Sequence, residues 1–259
     1  MKGSNLFCHL DITDAYSHLV IDDKFGEILT LNTPTQGLVR PTGAVYGAAN
    51  ITAVWQRRME MVLQGLEHVH NFFDDILVFA ENFEELMTVL EQVLERLRVN
   101  GLKFNRSKCV FATKEVEFLG HHINGEGLMK ADKHMEAIRN SPRPSTIEEL
   151  QLFLGKATYY CAFIHNMLTK DRPLRQMLKT VPFQWTPEAE EAYNVIKEDL
   201  LSPRTLITYD PQLPLVLATD ASKTRLSAVL SHRLTDAQER PIAFASRPMN
   251  AAKVKYPQN

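Results

Sequence analysis

Apolar and polar positions change period several times along this chain, and each change marks an element. Leu6-Phe7-Cys8-His9-Leu10-Asp11-Ile12 alternates as a β-strand does, with Asp11 near its C-terminal end. Thr13-Asp14-Ala15-Tyr16 reads as a turn or short helix, and short strands are predicted over 18–21, 27–32 and 38–40. From Asn50 the period becomes helical: Ile51, Val54, Trp55, Met59, Val62 and Leu66 make one stripe, with Arg57 and Arg58 beside it. Two apolar runs then flank Asp74-Asp75 and read as a β-hairpin with both carboxylates at its tip. The strongest helix follows, with Leu86, Val89, Leu90, Val93, Leu94 and Leu97 at i, i+3, i+4, i+7, i+8 and i+11. Asn82 with Glu85 is a capping box for that helix, and Gly101 stands where a C′ glycine belongs.

Strands are predicted at 116–119 and 121–123, punctuated by Gly120, Gly125 and Gly127. Beyond Gly127 the pattern is mainly helical, over 131–140, 146–160, 171–179 and 187–201, with Ser141-Pro142-Arg143-Pro144 breaking the first two. Leu150, Phe153, Leu154, Ala157 and Tyr160 form the core face of a helical subdomain. Strands return at 215–219, which ends in Asp220, and at 226–230 and 242–245, a segment too short to close a sheet of its own. The fold class is α+β.

Composition narrows the function classes. The chain has 259 residues, 44% hydrophobic and 23% charged, enough for one large domain or two to three smaller ones. It lacks an apolar run approaching the roughly 18 residues of a membrane span, so no membrane partner and an intracellular setting are expected. Cys8, Cys109 and Cys161 are far apart, which argues against a zinc site or a disulfide framework and for buried thiols. A formal net charge of −2 carries no global signature of nucleic-acid binding, so that reading rests on local patches. One exists: 96–114 hold Arg96, Arg98, Lys103, Arg106, Lys108 and Lys114 without an acid. It suits phosphate contact and, equally, a cationic helix end followed by a solvated hairpin.

Taken alone, Asp-Asp between two strands is most often a plain solvated turn. Held out by a rigid hairpin, the same pair supplies hard oxygen ligands for Mg²⁺, provided that a third carboxylate lies nearby. Asp11 is the candidate, although an acid at a strand end is commonly a cap or turn former.

Five ordered blocks carry a resemblance: Leu10-Asp11-Ile12-Thr13-Asp14-Ala15-Tyr16; Gly47 with Asn50; Phe72-Phe73-Asp74-Asp75; Gly101-Leu102-Lys103-Phe104-Asn105; and Phe118-Leu119-Gly120-His121. In order and spacing they resemble the reverse transcriptase of gypsy-class LTR retrotransposons. Phe153-Leu154-Gly155, Tyr159-Tyr160, Phe183-Gln184-Trp185-Thr186 and Thr219-Asp220-Ala221-Ser222 look like the thumb, connection and start of RNase H in the same Pol polyproteins.

The resemblance implies a palm at 1–124 whose fingers are missing, built as an antiparallel sheet with packed helices. A helical thumb and connection would follow at 125–202, then an incomplete RNase H-like α/β domain at 203–259, in which Asp220 is the one acid of that site present. It implies an RNA-directed DNA polymerase that transfers nucleotides from dNTPs to a primer 3′-hydroxyl with two Mg²⁺ ions, Mn²⁺ being a substitute. Asp11, Asp74 and Asp75 would be the catalytic acids and, with the Ile12 carbonyl, the metal ligands. Lys108 would protonate the leaving pyrophosphate, while Tyr16, Tyr46 and Gly47 would border the nucleotide, Tyr16 as the gate against a 2′-hydroxyl. Phe118, Leu119, Gly120 and His121 would form the primer grip. Partners would be an RNA or DNA template with its primer, and the rest of Pol: fingers, remaining RNase H, protease and integrase. The setting would be cytoplasm or retroelement particles. The alternative is a truncated or co-opted remnant that binds nucleic acid without catalysis. Three positions depart from the family pattern: Phe72 replaces a tyrosine, Val45-Tyr46-Gly47 replaces Pro-Phe-Gly or Pro-Gln-Gly, and Thr52 replaces a proline.

Overall fold

The computed structural model describes residues 1, 3–47, 50–180, 182–222, 225–234 and 238–249. The chain divides into two compact units, Gly3–Phe118 and the segment from Leu119 onward. In the first unit β1 (Leu6–Asp11) leads through a 3-10 turn at Ala15–His18 to α1 (Asp23–Ile28), the hairpin β2 (Leu31–Thr33) and β3 (Gly37–Val39), and α2 (Ile51–Val62). Next come β4 (Val69–Phe72), β5 (Asp75–Ala80), α3 (Phe83–Val99), β6 (Val110–Thr113) and β7 (Glu115–Phe118). In the second unit β8 (His121–Asn124) and β9 (Gly127–Lys130) precede the helices α4 (Asp132–Arg139), α5 (Ile147–Tyr159), α6 (Met167–Lys170), α7 (Arg172–Met177) and α8 (Pro187–Leu201). The strands β10 (Leu215–Ser222), β11 (Arg225–Arg233) and β12 (Glu239–Pro248) complete it.

The first unit is organised by a four-stranded antiparallel sheet in the order β4-β5-β1-β6. Its interior strand β5 reads Ile-Leu-Val-Phe-Ala after Asp75, and all five residues are buried, as a strand covered on both faces requires. Residues two apart share a face. Cys8, Leu10, Ile76, Val78 and Ala80 therefore point to one side, where they pack with Trp55 and Met59 of α2 and with Leu86, Leu90, Val93 and Leu97 of α3. His9 and Asp11 with Leu77 and Asp75 alternate to the other side. The N-cap of α3 forms as its sequence predicts, Asn82 Oδ1 accepting from the Glu85 amide at 3.0 Å, but the Glu85 carboxylate accepts from the Glu81 amide at 3.1 Å where the capping box calls for that of Asn82; Gly101 is left-handed at φ 67°.

Three expectations are corrected. Strand is not formed over 18–21, and 27–32 is split, because Asp22 caps a helix by accepting from the Phe25 amide at 2.7 Å, drawing Glu27 and Ile28 into α1. The final strands do build a sheet, the antiparallel order β10-β11-β12. Of the three thiols, Cys8 is buried, Cys109 half-buried and Cys161 exposed. Among the described residues no helix is long and apolar enough to cross a membrane.

The second unit closes on a core of Ile138, Leu150, Phe153, Leu154, Phe163, Leu174, Tyr193, Ile196 and Leu200. Its buried cation is Lys130, whose Nζ donates to the Ser202 carbonyl at 2.8 Å. Burial, and secondarily the repulsion of Arg204, pushes Lys130 down to about 8, with Asp199 opposing. The unfolded chain thus holds this proton where the folded chain releases it, so stability rises as pH climbs from about 8 toward the ordinary lysine value. From pH 7.5 to 9.5 the gain is about 2 kcal/mol, measured as urea stability of the wild type relative to Lys130→Met at both pH values.

Candidate active site at the end of the β1-β5 pair

Asp11 and Asp75 are direct cross-strand partners, and opposed residues of an antiparallel pair share a face. Both lie on the sheet face turned away from α2 and α3. Asp74 stands beside them in the β4-β5 turn, where its carbonyl accepts from the Ile12 amide at 2.8 Å. The two turn residues are Phe73 and Asp74; Asp75 is already the first residue of β5, paired with Phe72.

The turn is strained and then held. Phe73 has φ 52°, a conformation that costs a residue bearing a Cβ of order 1 kcal/mol or more. Both of its backbone groups are taken by α2: the Trp55 indole N–H donates to its carbonyl at 2.9 Å, and its amide donates to Gln56 Oε1 at 2.8 Å. Adjacent helix residues thereby fix the acid-bearing turn. Neither Gln56 nor the Trp55 bond announces itself locally in the sequence, since each partner lies 17 or 18 positions away.

Charges around the acids are unequally distributed. Lys108 Nζ approaches Asp11 Oδ2 at 3.4 Å, and His9 Nε2 meets Asp75 Oδ1 at 2.8 Å. The His9 ring also stands edge-on to Phe118, with centroids 5.8 Å apart. Desolvation pushes the Asp74 carboxyl above the usual range, and repulsion from Asp75 and Asp11 adds to it, while Lys108 opposes. The donor set therefore suits a divalent cation: carboxylates beside one another, with less positive charge than negative. Among the described residues no three His, Cys, Asp or Glu side chains form a ready metal cluster. Asp75 is engaged by His9 and Asp11 by Lys108.

Tyr16 and Tyr46 meet with ring centroids 4.8 Å apart, and the Tyr16 hydroxyl lies 3.4 Å from Thr52 Oγ1. Tyr16 is half-buried at the edge of the core, while Tyr46 is largely exposed. Partial burial and then the charges of Asp74 and Asp14 push the Tyr46 hydroxyl up. Gly47 has φ 100° with open space around the position of a Cβ, so backbone conformation rather than crowding calls for glycine.

The remaining candidates divide between the units. Phe118 ends the first. In the second, Leu119 and Gly120 form a turn with φ 48° and 66°, and Tyr160 donates from its hydroxyl to the Gly120 carbonyl at 2.6 Å. The Tyr159 hydroxyl binds the Leu119 carbonyl, and His121 Nδ1 lies 2.8 Å from that same oxygen. A Cβ at Gly120 would stand 2.8 Å from the His134 ring. Asp220 lies exposed on β10.

Comparisons with known proteins agree with this architecture. Residues 1–123 match the model of the reverse transcriptase (RNA-dependent DNA polymerase) family, and residues 185–259 match the RNase H-like domain found in reverse transcriptase. The Tf2-3 and Tf2-4 transposon polyproteins of Schizosaccharomyces pombe are each 30% identical over 259 residues, 99% of this chain. The chain spans 19% of their length. Two solved structures share the fold: the foamy viral protease-reverse transcriptase dRH in complex with ds DNA, at TM-score 0.84, and the foamy viral protease-reverse transcriptase in complex with an RNA/DNA hybrid, at 0.82. Both are 24% identical and cover 97% of this chain, which covers 44% and 34% of theirs.

Proposed function

We propose that this chain, whose residues 1–123 belong to the reverse transcriptase family, is the polymerase palm and thumb of an RNA-directed DNA polymerase from a retrotransposon polyprotein. In this reading it extends a primer 3′-hydroxyl with dNTPs along an RNA or DNA template. The palm runs over 1–124, the thumb and connection over 125–202, and an RNase H-like segment over 203–259. The observation that carries the reading is that Asp11 and Asp75 are direct cross-strand partners with Asp74 in the adjoining turn, and that Lys108 Nζ lies 3.4 Å from Asp11 Oδ2.

Asp11 and Asp74 would hold Mg²⁺, with the Ile12 carbonyl as a further oxygen and Asp75 steadied by His9. Bound there, the cations supply an acidified primer hydroxyl and neutralise charge on the triphosphate during in-line displacement. Lys108 Nζ, on an exposed side chain 3.4 Å from Asp11 Oδ2, would carry the proton given to the departing pyrophosphate oxygen. The Tyr16 ring, backed by Tyr46 and Thr52, lies against the sugar and leaves no room for a 2′-hydroxyl. Gly47 lets the backbone approach the nucleotide. Phe118 and the Leu119-Gly120-His121 turn align the primer strand, the turn being stiffened by Tyr159 and Tyr160. The protein would act inside the cell, in the cytoplasm or in retroelement particles, together with the rest of Pol.

The test is extension of a DNA primer on an RNA template with dNTPs and Mg²⁺ by the full chain, with and without a chelator. Metal-dependent extension is expected; extension that survives chelation contradicts the proposal. A second reading, a non-catalytic nucleic-acid binder, is favoured by the engagement of Asp75 with His9 and the lack of a three-ligand cluster among the described residues. Hybrid binding without extension would select it. Tyr16→Val is expected to lower the dNTP-over-rNTP preference in kcat/KM by at least about tenfold while leaving dNTP extension measurable. An unchanged ratio would return Tyr16 to a purely core role.

A further inference from the structure

The second unit contains a cavity of about 420 Å³ between β9, α4 and the segment after α8. Lys130, Arg139 and Arg204 line it, against the single acid Asp132. Among the described residues none of these three cations has a carboxylate partner within ion-pair distance. Lys130 gives its one recorded hydrogen bond to the Ser202 carbonyl, and its Nζ lies 5.0 Å from the centroid of the Phe163 ring. Arg204 donates to the Phe163 carbonyl at 2.6 Å and sits over the Phe244 ring at 5.2 Å. Asp199, whose charge opposes the downward shift of Lys130, is taken by Lys170.

This arrangement is costly without a ligand. A buried ammonium is disfavoured unless it is paired, and a second cation nearby adds to the penalty. Lys130 has only 7% of its surface exposed and feels Arg204 as a like charge, and the balance of its surroundings drives it to about 8. An anion in the cavity would reverse both effects. Three cations to one carboxylate call for more than one negative charge, and two guanidinium forks match the oxygens of a phosphate better than those of a halide.

We propose that the cavity lined by Lys130, Arg139 and Arg204 is a phosphate-binding site, separate from the acids of the first unit. The phosphate is either a phosphodiester of a nucleic-acid strand or a free phosphate or polyphosphate. The proposal does not rest on the polymerase reading, since free phosphate binding alone sustains it.

The test is calorimetric titration of the full chain with inorganic phosphate and with tripolyphosphate at constant ionic strength, beside Arg139→Gln and Lys130→Met. Arg139 is exposed, so its variant retains the fold. Saturable binding is expected, weakened at least tenfold in each variant. A parallel arm measures RNA/DNA hybrid affinity against salt. A log-log slope smaller by about one in Arg139→Gln identifies the phosphate as a nucleic-acid backbone group, and an unchanged slope with weakened tripolyphosphate binding identifies a free ligand. Absence of saturable phosphate or tripolyphosphate binding together with an unchanged hybrid slope, or equal affinities in all three proteins, overturns the proposal.

Discussion

Asp74→Asn is expected to abolish primer extension, by about a thousandfold or more, while making the first unit slightly more stable. If Asp74 is the cation ligand proposed above, the activity loss follows from removing a group whose contribution to the transition state is several kcal/mol, each 1.4 kcal/mol being about tenfold in rate. The stability gain follows from the direction of the Asp74 shift. Desolvation and the nearby Asp75 and Asp11 charges raise its folded pKa above the unfolded value, so the folded state resists the charge. For an acid shifted this way, stability falls as pH rises through the unfolded carboxylate value and stays lower at neutral pH. Asparagine removes that cost. Thermal unfolding at pH 7 should move upward in the variant and the difference should vanish near pH 3. A variant that is inactive because it is unfolded would show the opposite shift.

Trp55→Ala is expected to destabilise the first unit by about 3–5 kcal/mol, among the largest effects of any single truncation in this chain. Its side chain is fully buried between α2 and the sheet, and it carries the indole bond to the Phe73 carbonyl. The cavity and the lost hydrogen bond add, because the bond holds a left-handed Phe73 that otherwise relaxes. Trp55→Phe separates the two: it retains most of the packing and loses the bond, so a cost near 1 kcal/mol is expected. Denaturant midpoints of the two variants measure both numbers. Equal destabilisation would mean that the indole bond to the turn, not the packing of the ring, carries the cost, and an unchanged stability of Trp55→Phe would mean that the bond contributes nothing.

Much of this fold is legible in the sequence where a periodic pattern and a local cap agree. α3 is the clearest case, since its apolar stripe, the Asn82 cap and the left-handed Gly101 all lie within one continuous segment. The Asp-Asp hairpin is legible for the same reason, its two runs being adjacent. α8 begins and ends where its stripe does, with Thr186 accepting from the Ala189 amide. α1 was hidden because six residues give too short a window for periodicity, and only the Asp22 cap betrays it. β6 (Val-Phe-Ala-Thr) and β9 (Gly-Leu-Met-Lys) carry no apolar-polar alternation to mark them as strands. Within the site, the Asp74-Asp75 pair stands out by type and setting, whereas Asp11 and Lys108 are singled out only through the family resemblance. The groups that orient them could not be singled out: His9 on Asp75 spans 66 positions, and Gln56 on the turn spans 17. Such partners are selected by the folded sheet, and a polar residue on a strand or helix carries no local mark of the bond it will make.

The central claim is that the acids at the end of the β4-β5-β1 sheet form a divalent-cation site. Mn²⁺ binding followed by electron paramagnetic resonance tests it on the intact chain without requiring turnover. The account predicts saturable binding by the wild type, displaced by Mg²⁺, and lost in both Asp11→Asn and Asp74→Asn. Equal Mn²⁺ binding by the wild type and both variants would contradict it.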